Sequence, residues 1–227
     1  MHEDVADAMR SAADQSLELA RRTPHRVMRE LYLQAIAYWR AYADAIPTYT
    51  EPDNSLAVVT TDLAGAIVSI CAAVDYGSAK ARGPLVQVDE APDSVATDIN
   101  VTSPEMFMST DGDLVCHDWS ETSRKFDSDV AEWHAIDPNL DASQWTPEQR
   151  EVMRQSVRIM NKFAADLKDL GARSKNPIVK DFAALSAAYW VAFTASVESY
   201  TTTDSYLSAT ANYTNFAVYY ACEAVGN

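Results

Sequence analysis

Residues 151 positions apart in this chain match without a gap, and that self-similarity restricts the possible folds more than any other feature. Tyr38, Trp39, Ala41, Tyr49, Thr50, Asp53 and Leu56 recur as Tyr189, Trp190, Ala192, Tyr200, Thr201, Asp204 and Leu207. Ala66, Cys71, Ala73 and Val74 recur as Ala217, Cys222, Ala224 and Val225. Chance would not favour Trp, Cys and Tyr among the matches, so the chain reads as an internal duplication of one structural unit.

The shared residues are those that build helices. Thr50 to Asp53 and Thr201 to Asp204 both read T-x-x-D, a helix start in which hydroxyl and carboxylate satisfy early backbone N–H groups. Thr146-Pro147-Glu148-Gln149 has the same logic, and Thr23-Pro24 and Asn176-Pro177 read as two further cap-plus-proline starts. Between these starts the apolar residues step by three and four. Leu207, Ala211, Thr214, Val218, Ala221 and Val225 form one such stripe, and Trp119, Phe126, Val130 and Trp133 form another, ended by Pro138.

The spacing predicts an all-α chain of two repeated antiparallel helical bundle units joined by an acidic linker. The second unit, 116–227, is a four-helix up-down bundle with helices at 118–136, 146–173, 177–199 and 202–225. The first unit, 1–76, shows only the last three, at 3–22, 24–46 and 51–75. At the repeat offset its first helix would begin 35 residues before Met1. Native sequence is therefore expected upstream, and a membrane anchor or signal with it. Residues 77–115 contain Pro84, Pro92 and Pro104 and read as a linker lying on the bundles, with one short extended segment at Leu85–Val88.

Glycine is scarce at 6 residues while apolar residues reach 48%, which favours helices over a turn-rich β fold. The formal net charge is -15. Between Leu85 and Arg150 there are 15 Asp and Glu against 3 Lys and Arg. So acidic a surface repels phosphate backbones and argues against nucleic acid as a partner. It serves either solubility or the capture of a basic partner. No uninterrupted run of about 18 apolar residues is present, so no membrane span is expected within the chain.

Cys116 opens the first helix of the second unit and Cys222 lies near the end of its last. In an up-down-up-down bundle those points share one end, which points to a Cys116–Cys222 disulfide and an oxidising compartment. Cys71 would then pair with a cysteine upstream of Met1. Two alternatives stand beside this: Cys71 paired with Cys116 across the linker, and three free thiols in a reducing compartment.

Catalytic and cofactor motifs are absent from the sequence: no nucleophile elbow, zinc helix or glycine-rich phosphate loop. His117 and His134 stand 17 residues apart, which puts them about 100° from alignment on one helix, so they share no ligand there. Glu132-Trp133-His134 lacks the E-x-x-H spacing of a di-iron bundle, and Asp111-Gly112-Asp113 lacks the rest of a calcium loop. Asp118, Glu121 and Asp127 are the carboxylates an enzyme would use, but no spacing rule places them. Asn100-Val101-Thr102 and Asn212-Tyr213-Thr214 fit a glycosylation sequon by coincidence. No catalytic residue, metal or cofactor is therefore assigned.

The aromatics admit two readings. Tyr189, Trp190, Tyr206, Tyr213, Tyr219 and Tyr220 all fall on the last two predicted helices, whereas the corresponding last helix of the first unit has none. They are either core, with hydroxyls reaching the rim, or the lining of a pocket for an apolar ligand such as a lipid or haem. Tyr189, Trp190, Tyr206, Tyr213 and Tyr219 are the candidate pocket residues.

At Gln144-Trp145-Thr146-Pro147-Glu148-Gln149-Arg150, and in the Tyr200-Thr201, Asp204 and Cys222 pattern, the chain resembles a group of uncharacterised actinobacterial envelope proteins. Those are membrane-anchored chains with a helical domain outside the cytoplasm. The resemblance covers 116–227 and, by duplication, 1–76. It implies an envelope location, membrane-anchored or secreted, and transfers no catalytic residue. The expected function is a non-enzymatic extracytoplasmic interaction module with a protein partner, a basic one where the acidic middle is used. The alternative is a binding protein for a lipid or other apolar small molecule.

Overall fold

A computed structural model describes residues 2–86, 103–109 and 111–226. All regular structure among them is helical. The long helices are α1 (His2–Arg22), α2 (Arg26–Ala45), α3 (Asp53–Asp75), α5 (Cys116–Asp129), α7 (Pro147–Arg173), α8 (Pro177–Ser196) and α9 (Ser205–Ala224). Two short ones, α4 (Ser78–Arg82) and α6 (Ala131–His134), complete the series, with 3-10 turns at Ile46–Thr48, Gly83–Leu85, Ala142–Gln144, Val197–Ser199 and Thr202–Asp204. At an offset of 151 the bounds of α2 and α8 coincide, as do the turns Ile46–Thr48 and Val197–Ser199 and the ends of α1 and α7.

The starts follow the cap chemistry. The Thr146 hydroxyl accepts from the Gln149 N–H at 3.2 Å while the Gln149 side chain accepts from the Thr146 N–H at 2.9 Å. The Asn176 side chain accepts from Ile178 and Val179, and Asp204 and Asp53 accept from the backbones of Thr201 and Thr50. Two starts and one helix differ from expectation. At Thr50 the hydroxyl donates to the Asp53 carboxylate at 2.8 Å instead of accepting a backbone N–H, and Pro52 stands at the N-cap of α3. The N-cap of α2 is His25, whose Nδ1 accepts from Met28, while the Thr23 hydroxyl donates back to Leu19 and closes α1. The helix predicted over 118–136 is broken at Val130, where φ is -103° and ψ 14°. Val130 is buried at that break. The change of direction turns Trp133 onto Trp190 and Phe193, with ring centroids 6.0 and 5.6 Å away.

The hydrophobic core runs continuously through both sets of helices. Leu31, Tyr38, Val59 and Leu63 belong to the same buried cluster as Trp119, Phe163, Trp190 and Leu207. α3 packs against α9, its counterpart at the offset, and α7, α8 and α9 are consecutive neighbours. α5 bridges α7 and α9. A second, smaller cluster of Ala13, Ala20, Leu33 and Ile36 joins α1 to α2. α3, and α8 with the turn after it, are long and apolar enough to cross a membrane, although the sequence shows no uninterrupted apolar run. About half of each apolar window is buried inside the protein, as suits central core helices.

The region expected to be a linker contributes packing. Phe107 lies between Tyr38 and Phe182, at 5.5 and 5.6 Å. Its backbone is held by Gln34, which accepts from the Phe107 N–H, and by Asn176, which donates to the Phe107 carbonyl. Of the extended segment expected at Leu85–Val88, Leu85 closes a 3-10 turn, Val86 is extended, and the rest lies outside the described residues, as does the Asn100 sequon.

α7 and α8 cross closely at Gly171. A Cβ there would stand 2.6 Å from the Ala183 Cβ, a short side chain fixed to its own helix. Gly171→Val is expected to cost about 1–3 kcal/mol by overpacking. Chemical denaturation reads this, and an unchanged midpoint would mean a looser crossing.

Candidate functional site

The helices build an aromatic cleft within the disulfide-stapled half. α6 and the loop after it form one wall, and the N-terminal half of α9 forms the other. The loop is pinned over the connection between α8 and α9: Ala142 donates to the Tyr200 carbonyl at 2.9 Å, and Asp141 accepts from the Thr202 N–H at 3.0 Å. The cleft is open to solvent on one side and has a volume of about 410 Å³, lined among others by Trp133, Trp145, Phe193, Tyr200, Tyr206 and Tyr213.

Two of these rings bond their polar atoms to backbone carbonyls. The Tyr200 hydroxyl donates to the Pro138 carbonyl at 2.8 Å, and burial pushes its pKa up to about 12. The Trp145 indole donates to the Leu140 carbonyl at 3.0 Å, and its ring stacks on Tyr200 at 5.3 Å. The cleft lining combines this ring surface with polar groups, among them His134, Asp137, Ser205, Ser208 and Asn212. Such a space suits an apolar or aromatic group.

Of the five residues the sequence singles out, Tyr206 and Tyr213 line the cleft. Tyr206 also stacks on Tyr76 at 5.5 Å, and Gly65 leaves room for the Tyr213 ring, which a Cβ there would meet at 2.9 Å. Trp190 is fully buried behind Trp133 and Phe193. Tyr189 has its pKa raised by burial and then by Cys71 of α3, so it belongs to that neighbourhood. Tyr219 packs with Phe216 and Tyr220, and its pKa is raised by burial and then by Glu223. Trp133, Trp145, Phe193 and Tyr200 were not singled out. The signal for them is weak: Trp145 and Tyr200 flank helices, and Trp133 sits on a stripe that reads as core.

Cys116 and Cys222 are joined as a disulfide, with Cα atoms 5.4 Å apart, and both are fully buried. Cys71 is free and exposed. Among the described residues no group of three or more His, Cys, Asp or Glu could hold a metal ion. Asp113 instead accepts from Val115 and from the Ser174 hydroxyl at 2.8 Å, which ties its turn to the α7–α8 connection. Of the carboxylates considered for catalysis, Asp118 and Glu121 line one charged groove between α5 and α7, where Asp118 meets Arg173 at 2.8 Å, while Asp127 lies outside it and meets His134 at 3.2 Å.

One buried carboxyl stands outside these pairs. Asp62 of α3 is 6% exposed, one of its oxygens has no partner, and burial raises its pKa to about 7. Below the unfolded pKa near 3.8 the group is neutral in both states and costs nothing. As pH rises from there to about 7, only the unfolded chain ionises. Stability from this group therefore falls across that window, by up to about 1.4 kcal/mol per pH unit. Asp62→Asn is expected to lose that slope, measured as thermal midpoint against pH. Parallel curves for the two proteins would contradict the assignment.

The sequence model of the family described as "Mycobacterial ESX-1 associated protein" matches residues 1–226. An uncharacterised protein of Mycolicibacterium smegmatis (strain MKD8) is 48% identical over 207 residues, which is 91% of this chain and 55% of the relative. The chain thus spans little more than half the length of that relative. No solved structure matches. With almost its whole length matched, the chain belongs to the family of mycobacterial ESX-1 associated proteins.

Proposed function

We propose that the chain is a non-enzymatic, extracytoplasmic interaction module of the cell envelope that binds a protein partner of the ESX-1 secretion system. The Cys116–Cys222 disulfide carries this reading, since such a bond persists where the surroundings are oxidising. The family description supplies the link to ESX-1. The net charge of -15 favours a partner that presents basic residues. The test is cross-linking of intact mycobacteria with a membrane-impermeant lysine reagent, followed by mass spectrometry. Cross-links to envelope or secretion proteins, weakened at high salt, are expected. Labelling only after cell lysis would overturn the location.

A second reading has one observation in its favour, the aromatic cleft of about 410 Å³. Here the chain binds a lipid or other apolar molecule against Tyr206 and Tyr213. Filling the cleft with Ala209→Trp is expected to abolish recovery of a co-purified apolar ligand. Equal recovery from both proteins, or none from the parent, would end this reading.

A further inference from the structure

Around the aromatic cleft several hydrogen-bond donors are already spent, while acceptors are left over. The Tyr200 hydroxyl and the Trp145 indole donate to the Pro138 and Leu140 carbonyls. The Ser205 and Ser208 hydroxyls donate to the Thr202 and Ser205 carbonyls at 2.6 and 3.0 Å, and their oxygens keep lone pairs. His134 Nε2 lies 3.2 Å from an Asp127 oxygen. Asp137 uses one oxygen, Oδ1, for both the backbone N–H and the side-chain amide of Asn139, at 2.9 Å each, which leaves Oδ2 for a ligand. Among the described residues lining the cleft there is one carboxylate, Asp137, and no Lys or Arg. The Tyr200 hydroxyl senses the resulting field: after burial, the carboxylates of Asp204, Asp141 and Asp137 raise its pKa. Arg82 pairs with Asp204, but Asp141 and Asp137 are held by neutral amide groups.

We infer that the cleft seats an arginine side chain of the protein partner, with the guanidinium against the rings and paired with Asp137. The inference rests on the reading of the chain as a module for a basic protein partner, and names the place where that partner docks. Aromatic rings attract a cation through their quadrupole, and the lining offers Trp133, Trp145, Tyr200, Tyr206 and Tyr213. The volume of about 410 Å³ and the opening to solvent admit a side chain that projects from another protein's surface.

Hydrogen-bond chemistry selects arginine over other occupants. A guanidinium is flat, carries N–H donors on every nitrogen and has no acceptor, which matches ring surface beside open acceptors. A lysine ammonium brings the charge without the plane. A quaternary ammonium, as in a choline headgroup, would sit on the rings but has no N–H for Asp137. A neutral hydrocarbon would take water from that carboxylate and return no hydrogen bond. An anion would meet Asp137 with no basic side chain at the lining to offset it.

The test titrates the purified, isotope-labelled chain with the peptide acetyl-Gly-Arg-Gly-amide and follows the indole N–H signals by NMR. The Trp133 and Trp145 signals are expected to move together at millimolar peptide. The same peptide with citrulline, the neutral isostere of arginine, is expected to bind about tenfold more weakly, through loss of the charge-assisted hydrogen bond and the cation–ring attraction. Asp137→Asn, at an exposed position, should lose about the same factor for the arginine peptide and leave the citrulline peptide unchanged. Glu3→Gln, the same change of charge on α1, should alter neither, and Ala209→Trp should block both. Equal affinity for the two peptides, an arginine affinity indifferent to Asp137→Asn, tighter binding of phosphocholine, or no movement of the two indoles would overturn the inference. Such a failure in purified protein leaves the envelope reading standing. Labelling only after cell lysis would remove that reading and leave the arginine seat intact.

Discussion

Replacing Cys116 or Cys222 with serine is expected to lower the stability of the chain by about 4–5 kcal/mol, the loop-entropy value for a closure of this length. The two residues are 106 apart and both are fully buried, so the bond ties the start of α5 to the end of α9. Without it the unfolded chain regains the freedom of that whole loop, and α5 keeps only its side-chain contacts. Those contacts include Trp119, fully buried, and Phe126, stacked on Phe163 at 3.9 Å. The double variant Cys116→Ala/Cys222→Ala should show nearly the full loss, and dithiothreitol should reproduce it in the parent. Thermal or urea unfolding reads the effect. A parent protein whose unfolding is indifferent to reductant would contradict it.

Arg82→Leu is expected to cost about 3–5 kcal/mol, the effect of leaving a buried charge without its partner. Arg82, at the end of α4, holds Asp204 with two parallel bonds of 3.0 and 2.9 Å and also donates to Ser199 through its hydroxyl and carbonyl. The Asp204 side chain is 1% exposed and closes the start of α9 by accepting from Thr201. Removing the guanidinium leaves that carboxylate dry. Arg82→Lys should recover only part of the loss, because one ammonium cannot reproduce the fork. Combining Arg82→Leu with Asp204→Asn should recover more, since the uncompensated charge is then gone. Two additive losses in the double variant would argue that the residues act independently.

The helices are legible in the sequence because their signals are local. Thr146 and Asn176 cap where their side chains reach the next turn, and stripes such as Leu207 to Val225 follow from a period of 3.6. What lies beyond one or two turns is not legible in that way. The break at Val130 depends on Trp133 finding Trp190 and Phe193, residues far along the chain. The packing of Phe107 between Tyr38 and Phe182 has no periodic signature at all. Nor does the Arg82 clamp, which spans 122 residues.

The candidate site shows the same division. Tyr206 and Tyr213 are seven apart, about 20° from alignment, and share the cleft. Tyr219, six residues further, is about 120° away and meets different neighbours. Tyr189 and Trp190 are adjacent, and so turn to different surroundings, one toward Cys71 and the other into the core. A list of aromatics on two helices therefore mixes three environments. The Cys116–Cys222 pairing, one of three arrangements open in the sequence, was favoured by topology: in an up-down bundle the start of the first helix and the end of the last meet.

The redox state of the cysteines in protein taken from living mycobacteria tests the account most directly. Cells quenched with acid and alkylated without reductant should yield Cys116 and Cys222 as one disulfide-linked peptide pair, with no alkylated form of either. Recovery of both residues alkylated would place the chain in a reducing compartment and contradict the proposed extracytoplasmic role.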